Sequence, residues 1–525
     1  MAAMPAPTTS DLTRRIAQSS GIVMAGVLAS RVLGFLRDWT VARQIGSNAV
    51  TDAYYAAFTL PDFLNYLVAA GSLSIIFIPV FTKFMAEKRE DEAWRVFSTV
   101  VTFMGSLLVI VVLAAELFAP QLVEAIAPGF RPEVKAQVIF LTRLMLPAQI
   151  CFYLGSILSA VQYAKAQFLV PSLAPVVYNI GIILGGVLLA PQIGIAGFSV
   201  GVLAGALVGN FLLQVYGARR AGACFHPNLN LRHPGFKLFL KLAIPIMLAL
   251  SLVFTDDWII RWFGSYLEPA SITWLSYAKT LMRVPLGVVG QAVGVASFPF
   301  LAQLYSEGKL DELNRTLNST LKGLILMLVP ISALTMAQSS PLVYLIFSHT
   351  RMRGPDLDAT AATLVLFSLG MFAWGAQNIL ARGFYAARDT LTPAWVGTAL
   401  TFLNLPVYWI LVRQFQHLGL ALASSCGIIA YTVALFVLLI RRTHNPDVYG
   451  LLLFFFKVTL ASALAAGVAF ELASWLETLL PWHTTHGALM VLVAASFIGL
   501  VLTGLLAKLF GVREVDSYLK RLMRG

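Results

Sequence analysis

From about residue 20 to residue 508 the chain is an almost unbroken succession of apolar runs, each long enough to cross a bilayer. Nothing else limits its fold as much. About fourteen such runs can be delimited: 20–43, 52–84, 93–119, 133–163, 169–190, 194–217, 236–264, 271–304, 316–338, 358–386, 391–413, 417–440, 451–475 and 485–508. Each is too long and too evenly apolar for a strand of a membrane barrel, which alternates polar and apolar positions. A helix satisfies its own backbone in hydrocarbon. The chain is 58% hydrophobic and 12% charged, with a mean hydropathy of +0.79, more apolar surface than a soluble fold can bury. The expected fold is an all-α polytopic membrane protein.

A net charge of +12 would point to nucleic acid in a soluble protein. Here the charge follows topology. With a cytoplasmic N-terminus and alternating sides, 24 basic residues fall in cytoplasmic segments, among them Arg14, Arg15, Lys83, Lys165, Arg219, Arg220, Arg388, Arg441 and Arg442. Only 5 fall opposite: Arg131, Lys135, Arg351, Arg353 and Arg413. This bias predicts that both termini are cytoplasmic and that the number of spans is even, and it removes the need for a nucleic-acid partner. Arg31 and Arg37 interrupt the first apolar run, so it reads as a retained span and not a cleaved signal. Cys151, Cys224 and Cys426 have no metal or redox spacing. The cytoplasmic loops hold no P-loop and are too short for a catalytic domain. There is no His/Glu metal cluster and no nucleophile motif, so the expectation is a transporter without a cofactor, not an enzyme.

The chain resembles itself at an offset of about 220 residues. Pro79, Glu87, Asp91, Glu92 and Arg95 return as Pro299, Glu307, Asp311, Glu312 and Arg315. Tyr163-Ala-Lys-Ala-Gln-Phe-Leu-Val-Pro171 returns as Tyr385-Ala-Ala-Arg-Asp-Thr-Leu-Thr-Pro393. The unit holds six spans, and an even number keeps both copies in one orientation, related by an axis along the membrane normal. The expected organisation is an N-terminal lobe at 1–218, a cytoplasmic linker at 219–235, a C-terminal lobe at 236–441, and two extra spans with a basic tail at 442–525. Two six-helix lobes around a central cavity suit alternating access. Val512–Arg524 reads as a basic amphipathic stretch on the anionic leaflet, so membrane lipids are expected contacts.

Arg31 and Arg37 lie inside span 1, where a charge near the bilayer centre costs on the order of 2.5–3.5 kcal/mol. Asp38 can neutralise at most one of them. The bland reading is an Arg–Asp pair that locks helices. The functional one is a water-filled cavity where both meet an anion. Lys279 and Arg283 stand four apart on span 8, the repeat-mate of span 2, and would add two cations to that cavity unless they face lipid headgroups. Such a set suits a multiply charged anion such as a pyrophosphate, which arginine grips through paired donors. On span 7, Asp257 can pair with Arg261 one turn on, which leaves Asp256 to bind Na⁺ or a proton for coupling, or to pair with another span. Asp52 at the outer mouth is a helix N-cap or a gate contact, and Asp62 follows it near the start of span 2. Glycines and prolines such as Gly34, Gly71, Pro61, Pro79 and Pro285 permit kinks and close packing in the spans.

The run Arg31-Val-Leu-Gly-Phe-Leu-Arg37-Asp38 is followed by Val41-Ala-Arg43, Gly46, Thr51-Asp52-Ala53, Leu60-Pro61, Gly71 and Phe77-Ile-Pro79. Leu281-Met282, Pro285-Leu-Gly287-Val, Phe298-Pro299 and Gly383-Phe-Tyr385-Ala come later in the same order. Over the whole chain this resembles the MurJ (MviN) family, within the group that holds MATE exporters and polysaccharide flippases. The resemblance implies a flippase of the bacterial inner membrane that carries lipid II, the undecaprenyl-pyrophosphate-linked peptidoglycan precursor, with cell-wall synthesis proteins as candidate partners. It implies that Arg31 and Arg37 are cavity arginines and that Asp38 and Asp52 are family acids. The chain departs from the pattern where the family has an arginine pair after the Leu-Pro of span 2, here Asn65 and Tyr66, and where it has arginine in span 8, here Thr280. Those departures leave room for another polyprenyl-pyrophosphate glycan. The rivals are a MATE-like drug exporter, whose cavity would favour acids, and a non-transporting scaffold for envelope assembly.

Overall fold

The computed structural model describes residues 9–66, 72–251, 255–387 and 389–515, and every regular element in them is a helix. In the first half these are α1 (Thr9–Gln44), α2 (Ala49–Ala57), α3 (Thr59–Leu64), α4 (Ser72–Ala86), α5 (Glu90–Leu117), α6 (Ala119–Ile126), α7 (Pro132–Met145), α8 (Ala148–Ala164), α9 (Leu169–Ile193) and α10 (Ala196–Gly205). A π-helical turn, Ala206–Leu212, then leads into α11 (Leu213–Arg220). The second half holds α12 (Pro234–Ser251), α13 (Thr255–Gly264), α14 (Ser271–Ser306), α15 (Leu310–Ala337), α16 (Ser339–Phe347), α17 (Gly354–Leu369), α18 (Met371–Ala386), α19 (Leu391–Thr443), α20 (Val448–Leu479) and α21 (Thr485–Leu509).

Ten helical segments of the described residues are long and apolar enough to cross a membrane. One of them, Leu391–Thr443, is 53 residues long and bends at Gln416, so it carries the eleventh and twelfth apolar runs. Runs 52–84 and 236–264 each include residues outside the described set, and run 271–304 coincides with the 36-residue α14. Gly71, Arg388 and the tail from Asp516, including Lys520, Arg521 and Arg524, also lie outside it.

The internal repeat is visible in the elements. Helices α5 and α15 are both 28 residues long and begin 220 residues apart, at Glu90 and Leu310. Each is followed by a short helix, α6 or α16, and then by a pair of helices broken near the middle of one span. The turns repeat as well. Lys88 and Gly308 share a positive φ, as do Gly222 and His444.

The sharpest case is Gly194, with φ 60° and ψ −145°, whose counterpart 222 residues on is Gln416, with φ 53° and ψ −130°. That region is essentially reserved for glycine and costs another residue about 1–3 kcal/mol. The Gln416 side chain is exposed, so little packing compensates. We predict that Gln416→Gly raises stability by about 1 kcal/mol, after allowing for the backbone entropy of glycine, read as a higher unfolding temperature in detergent. An unchanged or lower temperature would count against strain at this turn.

Packing divides the chain into two compact units, Met1–Ile45 with Ala49–Arg261, and Gly46–Asn48 with Trp262–Gly525. This division falls later than the linker at 219–235. The reason is aromatic: Phe236 and Phe239 of α12 are buried in the first unit's core with Phe77, Phe81, Phe97 and Tyr153, and Phe103 meets Phe236 edge-on at 5.4 Å. The linker is held to the same unit, where the His226 amide donates to Ser98 Oγ at 3.1 Å. In the second unit α20 and α21 pack through small residues, with Ala469, Ala473 and Ala495 closing on Leu334 of α15. The described start of the C-terminal stretch is tucked in, with Val512 and Val515 buried.

The loop before α19 shows how the repeat's water-facing turns are fixed. Asp389 accepts from the Thr392 amide at 3.0 Å and from its hydroxyl at 2.7 Å, and pairs with Arg442. Partial burial pushes the Asp389 carboxyl up, but the Thr392 bonds and the Arg442 guanidinium outweigh it and hold it below the usual carboxylate range.

Candidate functional site

In the first unit the site is built on α1. Arg31 and Arg37 are six residues apart, more than one and a half turns, so they stand at different depths along the helix. Arg37 is neutralised locally: its Nη2 lies 2.9 Å from Asp38 Oδ1, and its Nε donates to the same oxygen at 3.0 Å. Asp38 is almost fully buried, whereas the Arg37 side chain keeps 26% of its surface. Arg31 is exposed and has no carboxylate partner among the described residues. Its neighbour Ser30 is anchored by Asn179 of α9, whose Nδ2 donates to the Ser30 carbonyl at 3.3 Å and hydroxyl at 3.2 Å. Span 1 is thus fixed against α9 just beside a charge left open.

The same unit holds a second charged cluster. Arg261 of α13 reaches α3, with Nη1 donating to Thr59 Oγ1 at 3.1 Å and Nη2 lying 3.6 Å from Asp62 Oδ2. Phe63 and Trp258 stack edge-on beside it at 5.9 Å. Helical spacing puts Asp257 one turn from Arg261, and Asp62 lies near the start of span 2. The bridge between α13 and α3 crosses about 200 residues of chain, and helical spacing carries no signal for it. Asp256 and Asp257 sit half-buried in the first turn of α13, beside this bridge. Asp52 is buried in the first turn of α2, at its fourth residue, so it lies inside the helix and not at its N-cap. Asn65 follows the last residue of α3 and is half-buried, and Tyr66 is exposed.

In the second unit, Lys279 of α14 is 6% exposed. Its Nζ lies 5.8 Å from the ring centroids of both Phe367 in α17 and Trp374 in α18. An ammonium near an aromatic face is attracted by the ring's quadrupole. Arg283, one turn on, is exposed, and Thr280 between them is half-buried. The two cations of span 8 therefore differ in environment: one is buried beside aromatic rings, the other exposed. The start of α14 is tied down by Trp274, whose Nε1 donates to Asp356 Oδ1 at 3.1 Å, and by Tyr277 stacked on Phe347 at 5.0 Å. Asp356 also caps α17 by accepting from the Arg353 amide at 2.8 Å. Among the described residues no group of three His, Cys, Asp or Glu could hold a metal ion.

These arrangements leave Arg31 exposed on α1 and place half-buried charge on α3 and α13 and a buried cation on α14. Comparison with known proteins gives a consistent picture. The family described as "Lipid II flippase MurJ" matches residues 41–494. A probable lipid II flippase MurJ of Vibrio cholerae is 28% identical over 526 residues, covering 96% of this chain and 98% of its own. The lipid II flippase MurJ of Burkholderia cenocepacia is 26% identical over 449 residues, covering 84% of this chain and 87% of its own. A solved structure of lipid II flippase MurJ in an inward closed conformation has the same fold, with a TM-score of 0.78 at 22% identity over 93% of this chain and 98% of that one. An inward-facing multidrug resistance MATE transporter of the MOP superfamily shares it more distantly, with a TM-score of 0.65 at 13% identity over 79% and 94%.

Proposed function

The chain belongs to the lipid II flippase MurJ family, and from that membership we propose that it carries lipid II from the cytoplasmic to the periplasmic leaflet by alternating access through a cationic site. The family is one of transporters and not enzymes, and the chain is a multi-pass protein of the bacterial inner membrane. The observation that carries the mechanism is the imbalance on α1: two guanidiniums, one local carboxylate, and Arg31 left open.

A pyrophosphate supplies the missing negative charge in a form arginine holds well, since each guanidinium fork can bond two phosphate oxygens. The headgroup enters the site from the cytoplasm while the polyprenyl tail stays in the bilayer. Lys279 and Arg283 are the second lobe's contribution to the same anion. Asp38 and Asp52 support the first span and its outer mouth, and Asn65, Tyr66 and Thr280 stand where the family has further cations. The lobes then rock to open the site outward. Asp256 and Asp257 bind the Na⁺ or proton that resets the carrier, or the membrane potential does so by acting on its charges. Both termini are cytoplasmic by the distribution of basic residues. Cell-wall synthesis proteins on the outer face take up the delivered lipid.

The absence of arginine at Asn65, Tyr66 and Thr280 favours one second reading, a flippase for another polyprenyl-pyrophosphate glycan. The test is complementation. A strain depleted of its lipid II flippase and expressing this chain should grow, and lipid II should become accessible at its outer surface. A chain that is well expressed and inserted but supports neither growth nor lipid II exposure would overturn the lipid II assignment and leave the second reading.

A further inference from the structure

In the second unit, where α15 begins, α19 ends, α20 begins and α21 ends, lies a half-open cleft of about 420 Å³. That volume is within the range of small-molecule sites. One wall is a single face of α15, since Asp311, Asn314, Arg315, Asn318 and Lys322 follow helical spacing. Opposite stand Asn445 and Asp447 of the α19–α20 turn and Glu514 just beyond α21.

Part of this lining is already satisfied. Asn318 and Asn445 form a reciprocal amide pair, at 3.2 Å from Asn318 Nδ2 to Asn445 Oδ1 and 2.8 Å from Asn445 Nδ2 to Asn318 Oδ1. Both are buried. Lys322 Nζ lies 3.2 Å from Glu514 and 4.0 Å from Asp447, over the Phe454 ring.

One buried atom is not satisfied, and two exposed charges stand unpaired beside it. Asn314 is 2% exposed; its Nδ2 donates to the Thr443 carbonyl at 2.9 Å, but its buried Oδ1 has no donor. A buried acceptor without a donor is uncommon and calls for an explanation. Asp311 and Arg315 lie one turn apart on the same face, yet neither has an ion-pair partner among the described residues, not even the other. Their axial separation is about 6 Å.

A simple anion would meet Asp311, Asp447 and Glu514, and a simple cation would meet Arg315. A metal ion lacks the ligand set among the described residues. A ligand with charges of both signs meets each group with its opposite. We infer that this cleft binds a small zwitterion, its phosphate or carboxylate on the Arg315 fork and its primary ammonium toward Asp311, on the face of α15 that also carries the Asn314 carbonyl oxygen. Because the walls come from α15 on one side and from the α19–α20 turn and the segment after α21 on the other, an occupant ties the start of α20 and the end of α21 to α15.

The test uses the full-length protein in nanodiscs and phosphoethanolamine as probe, with inorganic phosphate and ethanolamine as its two halves. Calorimetric titration should show phosphoethanolamine binding at least about tenfold tighter than either half, with a rise in unfolding temperature. Arg315→Ala and Asp311→Asn should each weaken it by about tenfold or more, and because both side chains are exposed the unliganded unfolding temperature should hardly move. Two lipid compositions distinguish the source of the group. If a lipid headgroup fills the cleft, the free probe binds in phosphatidylglycerol discs but not in phosphatidylethanolamine discs; if the ligand is water-soluble, it binds in both. Phosphate alone binding as tightly as phosphoethanolamine, binding indifferent to both substitutions, or no binding in either disc would overturn the assignment.

Discussion

Cells that depend on this chain should stop growing when Arg31 is replaced by alanine, although the protein remains folded and inserted. The expectation follows from what Arg31 does not do. It is exposed and has no carboxylate partner among the described residues, so its loss breaks no ion pair and opens no core cavity. A surface substitution away from such features usually changes stability by about half a kcal/mol or less. If its cost in the membrane is offset only by an anionic substrate, alanine removes binding and little else. Arg37→Ala should also abolish growth but for a mixed reason. It strips the guanidinium from a carboxylate that is 5% exposed, and breaking a buried pair from one side costs about 3–5 kcal/mol. The double variant Arg37→Ala/Asp38→Asn separates the two effects, because it also removes the buried negative charge and should recover expression without recovering growth. Arg37→Lys keeps the charge but loses the fork, and intermediate growth would point to bidentate recognition over simple charge balance. Full growth of both alanine variants would sink the cationic-site mechanism.

How far these residues could be read in advance depended on whether the signal was local. Spanning runs are local, and so is the imbalance of charge on span 1. The repeat was legible because its loops kept their charges: Glu87 to Arg95 and Glu307 to Arg315 frame helices α5 and α15 of equal length. The reach of Arg261 to α3 was not legible. Its bond to Thr59 and its approach to Asp62 join segments about 200 residues apart, far beyond the one-turn spacing that puts Asp257 near it. Lys279 is similar. Spacing placed it on one face with Arg283, but only the packing of α17 and α18 puts it between Phe367 and Trp374. Gln416 shows the reverse failure, since nothing in its residue type announces a left-handed turn, and only its repeat-mate Gly194 gives the position away.

The glycines that matter most for packing stand at a spacing readable in the sequence. Gly181 and Gly185 on α9 are four apart, as are Gly197, Gly201 and Gly205 on α10. This small-residue spacing brings membrane helices into backbone contact. A methyl group on Gly185 would lie 2.5 Å from the Gly197 carbonyl oxygen and 2.6 Å from the Gly201 Cα; one on Gly201 would lie 2.6 Å from the Gly181 carbonyl oxygen. These are backbone atoms, which cannot rotate away as a side chain would, so the helices themselves must separate. Gly201→Ala and Gly185→Ala should therefore cost at least the roughly 1–3 kcal/mol typical of overpacking, and Gly201→Val should yield little folded protein. The control is internal. An added methyl on Gly504 of α21 meets nothing within 4 Å, and alanine is the better helix former by about 1 kcal/mol, so Gly504→Ala should leave the protein equally or more stable. Unfolding temperatures and the monodisperse fraction on size-exclusion chromatography decide the matter. If Gly201→Ala behaves like Gly504→Ala, the close contact of α9 with α10 does not hold the first unit together, and the anchoring of α1 through Asn179 on α9 loses its rigid support.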